Sequence, residues 1–306
     1  MKTLKIGVML LALLLAAMTM VPMVSAMDED QDRVLVTTND NPFEPIDQEI
    51  HNYTKLVLQE RGTHIAPDQF AATLSQKYHS ELDQIIKSIE GNTQQTLSDD
   101  ERNTLKSLII QGEINKIYQQ EYKKKLNISE SDFKKIPVTL VDGMTNQVNA
   151  ITSLPHTLHL VQVYPDVYGG TGVDSLLQPY SVNGNNQIYT IYWDHHPGSY
   201  TYYELHFLDE DHPNPVLDIT YDEYRKNVLS SHPYEDIQSF IIWADNTIEF
   251  VDIWDNGFPY ATTLGQHGQV SRSFGSGTYI YISNVWNHAM DTSDRNSDMQ
   301  KVYYNY

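Results

Sequence analysis

Gln187-Ile-Tyr-Thr-Ile-Tyr-Trp-Asp-His-His-Pro-Gly-Ser-Tyr-Thr-Tyr-Tyr-Glu-Leu-His-Phe207 alternates side-chain character on both sides of a Pro-Gly-Ser step. Aromatic and β-branched residues at period two, broken by turn formers, predict a hairpin of strands 187–193 and 200–207. Ile188, Tyr192, Tyr203, Leu205 and Phe207 are assigned to its apolar face. Tyr189, Trp193, Tyr200, Tyr202, Glu204 and His206 are assigned to the other face, half aromatic and half polar. A second hairpin, 237–243 with 247–254, turns about Asp245-Asn246, residue types that tolerate positive φ. Here Ile237, Ile241, Trp243, Ile248, Phe250 and Trp254 are placed on one face, and Phe240, Ile242, Val251 and Ile253 on the other. A hairpin apolar on both faces belongs in the middle of a sheet.

Working outward, short strands are predicted at 137–141, 157–163 and 278–286, and a single helix over Pro215–Leu229. Seventeen of the 21 tyrosines and all four tryptophans lie beyond Ile136. Upstream the period changes to that of helices. Ile46, Ile50, Tyr53 and Val57 share a stripe over Pro45–Arg61. A second stripe runs from Pro67 through Phe70, Leu74, Tyr78, Leu82, Ile85 and Ile89 to Gly91. The third helix opens on Ser98-Asp-Asp-Glu101, a capping box, and closes on Lys123-Lys-Lys125, charges suited to a helix C-terminus. The fold class that follows is α+β: a helical hairpin or small bundle over 44–135, then an antiparallel β-sandwich-like domain over 136–306 with one inserted helix.

The first 26 residues read as an export signal. Lys2 and Lys5 precede the apolar run Ile6–Met18, and Val24-Ser-Ala26 places small residues at a cleavage site. Residues 27–43 are a polar, acidic lead expected to be flexible. A secreted or cell-surface location is expected, with no transmembrane anchor once the signal is removed. No cysteine occurs, which excludes disulfides, thiol nucleophiles and zinc–thiolate centres. Net charge is −20. From Ile136 onward five basic residues face twenty acidic ones, a net −15, so nucleic acid is not an expected partner.

Two uses compete for the polar–aromatic hairpin face: packing against the front helices or the 215–229 helix, or presentation as a platform for sugar rings, with carboxylates accepting hydroxyl hydrogen bonds. The same hairpin carries imidazole and carboxylate in a pattern that suits zinc: Glu204 and His206 are two apart on a strand, with His195 and His196 at one end and Asp209, Asp211 and His212 at the other. Asp294, Asn296 and Asp298 repeat the alternating oxygen ligands that open a calcium loop, but the turn glycine and distant glutamate are missing. Calcium there is preferred to zinc at the hairpin. Glu204, Glu249 and Asp252 supply carboxylates for a glycosidase pairing, and Gln178 with Glu204 for a glutamine–glutamate peptidase. No His-Glu-x-x-His, Gly-x-Ser-x-Gly, phosphate loop or dinucleotide fingerprint is present. Asn52-Tyr-Thr54 and Asn127-Ile-Ser129 are N-glycosylation acceptor tripeptides.

Two stretches carry resemblances. Leu105–Lys135, a long amphipathic helix ending in Leu-Asn-Ile-Ser-Glu-Ser-Asp-Phe, loosely resembles the N-terminal helical region of periplasmic foldases. Thr278-Tyr-Ile-Tyr-Ile-Ser-Asn-Val-Trp-Asn-His-Ala-Met-Asp291, with Asp218-Ile-Thr-Tyr-Asp-Glu-Tyr-Arg225, resembles segments of uncharacterised exported proteins of methanogenic archaea. That second likeness spans the last 150 residues or so and implies no activity. The expected function is a non-enzymatic exported protein that binds a carbohydrate or cell-envelope component. A metal-assisted secreted hydrolase and a foldase-like chaperone are the alternatives.

Overall fold

Ser98 starts the helix around which the front of the protein is organised. Its side chain accepts from the Glu101 backbone N–H, and the Glu101 carboxylate accepts from the Ser98 N–H at 2.9 Å. That reciprocal cap satisfies donors a helix start would otherwise orphan. The computed structural model describes residues 44–59, 65–137, 154–163, 188–207, 214–225, 236–253, 271–282, 288, 290–294 and 301–306. The export signal, the acidic lead, Gln178, Trp254 and residues 226–229 lie outside the described residues.

The front helices are α1 (Glu44–Gln59), α2 (Pro67–Lys77), α3 (His79–Thr93) and α4 (Asp99–Leu126). The predicted single helix from Pro67 to Gly91 is two helices. The chain breaks at Tyr78 (φ −104°, ψ 29°), and Gly91 lies within α3. The break lets the Tyr78 hydroxyl and the neighbouring Lys77 ammonium both meet the Glu49 carboxylate on α1. Helix α4 touches α1, α2, α3 and α5 (Pro215–Tyr224). Leu105, Leu108, Ile109, Ile110, Ile114 and Tyr118 on it are fully buried. Gly112 brings α5 close: a Cβ there would stand 2.9 Å from the Tyr221 hydroxyl.

The strands form two sheets. One is six-stranded, in the order β1 (Lys134–Pro137), β3 (Ile188–His196), β4 (Tyr200–Phe207), β5 (Asp236–Trp243), β6 (Thr247–Phe250) and β7 (Ser271–Ser273), with every pairing antiparallel. The other is four-stranded, in the order β10 (Lys301–Asn305), β2 (His159–Val163), β8 (Tyr279–Ile282) and β9 (Met290–Asp291), with β2 and β8 parallel. The two sheets share one core: Ile191, Tyr203, Leu205, Phe207, Phe240 and Phe250 from the first meet Leu160, Ile280, Ile282, Met290 and Tyr304 from the second. A second core lies on the other face of the six-stranded sheet, where Tyr200, Tyr202, Ile241, Val251 and Ile253 meet the helices. The layers therefore run helices, large sheet, small sheet, and the helical and β-rich regions pack together.

Both predicted hairpins form; in the second one strand lies on the wrong face, and in the first Tyr192 and Trp193 are exchanged while Ile188, beyond a register shift, keeps its expected face with Leu205 and Phe207. Phe240 faces Phe250 and Ile242 faces Ile248, so Ala244–Asn246 is a three-residue loop, with Asn246 at φ 61°. A two-residue turn was expected. The extra residue moves Ile248 and Phe250 onto the face of Phe240 and Ile242, and sends Val251 and Ile253 to the helix side with Ile241. The first hairpin closes likewise through Pro197–Ser199, and His195 and His196 are strand residues rather than loop residues. Trp193 pairs with Tyr203 in the inter-sheet core, while Tyr192 pairs with Glu204 on the helix side. A slip of one residue exchanges every side chain between faces.

Candidate functional site

The hairpin face singled out in the sequence is covered by α4. Tyr202 and Glu204 are 0% and 3% exposed, Tyr200 and His206 8% and 9%. The Lys123 ammonium donates to Glu204 Oε1 at 3.0 Å and to Glu130 at 2.7 Å. The Tyr202 hydroxyl lies 3.0 Å from the same Glu204 oxygen and 2.9 Å from Ser239 Oγ. His206 Nε2 sits 3.2 Å from Glu204 Oε2, and its ring packs on Tyr192 at 4.4 Å. Tyr189 stands at a register shift in β3, edge-on to His206. Trp193, expected on this face, is on the opposite one. Five of the six expected ligand residues therefore share the helix-facing side or its edge, and they are packed rather than displayed.

Burial pushes the Glu204 carboxyl up, but the His206 hydrogen bond and the Lys123 charge outweigh it and hold the group below the usual carboxylate range. Burial likewise opposes the charge on Lys123, and the two glutamates more than restore it. Burial and the Glu204 charge drive the Tyr202 phenol well above its ordinary value. Such a network ties α4 to the middle of the sheet. The remaining carboxylates are similarly engaged: Glu249 accepts from the Tyr122 hydroxyl and Trp243 Nε1, and Asp252 from Asn115 Nδ2. Among the described residues no three His, Asp or Glu side chains gather as a metal centre. Asp209, Asp211 and His212 lie outside the described residues, as do Asn296 and Asp298 of the calcium loop. Asp294 of that loop pairs with Lys301 at 3.2 Å.

A buried pair not anticipated as such closes one end of the inter-sheet core. His288, fully buried at φ 44°, donates from Nδ1 to Asp236 Oδ2 at 2.7 Å and stacks on Phe207 at 3.8 Å. Gln238 Nε2 donates to the same carboxylate oxygen. Burial pushes the Asp236 carboxyl up, but His288, then Arg225, then Gln238 bring it below its usual range.

The exposed tyrosines are on the other sheet. In β8 the tyrosines of Tyr279-Ile-Tyr-Ile282 point outward and the isoleucines inward; in β10 Tyr303 points outward and Tyr304 inward. Register then aligns one row across all four strands: Tyr303, Val161, Tyr281 and Asp291. Val161 and Asp291 in that row are buried, at 1% and 4% exposed, and Tyr281 is half-buried, so the face is exposed at Tyr303 and Tyr279 rather than along the whole row. Tyr303 and Tyr279 are 53% and 41% exposed. Among the described residues the other strongly exposed large apolar side chains, Leu56, Ile65 and Ile219, lie on or beside helices. The Tyr279 ring lies 5.3 Å from His159, its partner on β2, and 6.1 Å from Tyr281. Burial, then Asp294, then Tyr303 and Tyr279, raise the Tyr281 phenol. Asp294 and Lys301 stand as an ion pair beside the row. Tyr303 and Tyr281 are two strand spacings apart, about 10 Å. The alternation Tyr-Ile-Tyr-Ile was the available signal; the pairing with Lys301–Asn305 was not readable, because no hairpin joins those strands.

No protein-family model matches the chain, and neither a curated protein nor a solved structure matches it. No helix among the described residues is long and apolar enough to cross a membrane.

Proposed function

We propose that this chain is an exported surface or extracellular binding protein that takes a carbohydrate chain on the outer face of its four-stranded sheet. The observation that carries the reading is the pair of outward tyrosines, Tyr279 and Tyr303, held beside Tyr281 and His159 on a rigid sheet. Flat phenol rings offer apolar platforms to pyranose faces, and the adjoining carboxylates, imidazole and ammonium match sugar hydroxyls. Tyr303 and Tyr281, in one row two strand spacings or about 10 Å apart, suit neighbouring subsites on a chain crossing the strands, with Tyr279 beside them. Burial of Glu204 against Lys123 of α4, and of His206 among Glu204, Tyr189 and Tyr192, weighs against a hydrolase centred on them.

The test is titration of the mature protein against soluble β-glucan, chitin oligosaccharides, mannan and bacterial glycan strands. Tyr303→Ala and Tyr279→Ala should each weaken binding about tenfold, the scale of one stacked ring, without moving the melting temperature. Tyr303→Phe should keep most of the affinity. Binding that ignores both alanine variants, or no binding to any glycan, overturns the reading.

A further inference from the structure

We infer that Asn127 is the N-glycan acceptor of the folded protein and that Asn52 is closed to modification. Both head an acceptor tripeptide, and the fold treats them oppositely. Asn52 lies inside α1, its Oδ1 accepting from Gln48 Nε2 at 3.2 Å. Its tripeptide threonine, Thr54, is 0% exposed and donates to the His51 carbonyl. Tyr53 between them is buried, stacked on Phe70 at 3.9 Å, and donates its hydroxyl to the Ile65 carbonyl. A transferase reads the threonine hydroxyl and the asparagine amide together, so access here would require unwinding the middle of a packed helix.

Asn127 is the C-cap of α4, in the left-handed region (φ 55°, ψ 35°), and exposed. No described residue hydrogen-bonds its carboxamide. Ser129, also exposed, has extended backbone (φ −115°, ψ 128°), and its hydroxyl bonds only the Ser131 hydroxyl, at 2.7 Å. Between Asn127 and Ser129, Ile128 packs on the helix core and its N–H bonds the Lys123 carbonyl at 3.0 Å, so an extended tripeptide requires opening only this final turn, not the body of α4. The donor is a polyprenyl-linked oligosaccharide. Asn127 Nδ2 forms a bond to the anomeric carbon and loses a proton, while the anomeric C–O bond breaks and the lipid phosphate leaves with the electron pair. The acceptor sits at the end of the helix layer, with the large sheet between it and the tyrosine face, so an attached glycan leaves that face open. Cellular modification rests on the export reading; the chemistry can be tested without it.

The experiment uses the folded mature chain, a lipid-linked oligosaccharide, and an oligosaccharyltransferase chosen because it modifies synthetic peptides spanning 48–58 and 123–131. Intact mass should rise by one glycan per chain, and peptide mapping should place it on Asn127. Asn52→Gln should leave this unchanged. Ser129→Ala, which keeps the left-handed Asn127 and removes only the recognised hydroxyl, should abolish it. Folded protein left unmodified while the 123–131 peptide is modified overturns the inference, and so does modification of Asn52 at a comparable rate.

Discussion

Replacing Glu204 by Gln leaves the Lys123 ammonium, 16% exposed, with only the surface carboxylate of Glu130 to balance it. Removing one partner of a buried ion pair costs about 3–5 kcal/mol, most of it the desolvation of the charge left behind. In a protein of this size each kcal/mol moves the melting temperature by about 2–4 °C, so a drop of roughly 6–20 °C is expected at neutral pH. Lys123→Met should do similar damage by stranding Glu204. The double replacement Lys123→Met with Glu204→Leu should recover most of the loss, because neither charge of the pair is then left buried without the other. The effect is also pH-dependent. The folded carboxyl titrates below its unfolded value of about 4.3, so the stabilisation is complete above that pH and disappears as pH falls through the folded value. The penalty of Glu204→Gln, read as the difference from the parent in urea titrations across pH 3 to 7, should therefore shrink toward the acid end. The reasoning is refuted if Glu204→Gln costs less than about 1 kcal/mol at pH 7, or if the double variant is as unstable as both single ones together.

Two further outcomes follow from the half-buried carboxyl of Asp47 and the Asp236 carboxyl. Burial and the neighbouring Glu113 raise Asp47 to about 6. A carboxyl raised on folding stabilises only while protonated: its contribution is complete below the unfolded value and is lost as pH climbs through about 6. Asp47→Asn should thus raise the melting temperature at pH 7 and leave it unchanged at pH 3; equal effects at both would contradict the assignment. Asp236→Ala strips the acceptor from both His288 and Gln238 inside the core and should cost about 3 kcal/mol in urea denaturation. A loss under about 1 kcal/mol would show that the pair relaxes to other partners.

Much of the architecture was legible because it is local. The Ser98 capping box, the apolar stripe of α4, the alternation in β4 and the turn residues at Asn246 and Gly198 each act within a few positions of themselves. The α+β class and both hairpins could be read from those signals. The break at Tyr78 could not, because the helical period runs through it unchanged and only the contact with Glu49 across the bundle motivates it.

Side-chain faces behaved the same way. Glu204 and His206 share a face because strand geometry demands it, and the sequence alone settles that. Whether Tyr192 or Trp193 joins them depends on one residue of loop length, and whether the face is open or closed depends on where α4 lands. The composition of an aromatic–polar face is the same when it binds sugar and when it packs on a helix. Charge and hydrogen-bonding capacity are properties of residues, whereas exposure is a property of the neighbours that folding brings up. Tyr279 and Tyr281 were visible as tyrosines two apart on the strand predicted at 278–286, whereas Tyr303 lay outside every predicted strand. Only the assembly of β10, β2, β8 and β9 from segments far apart in the chain made them one surface.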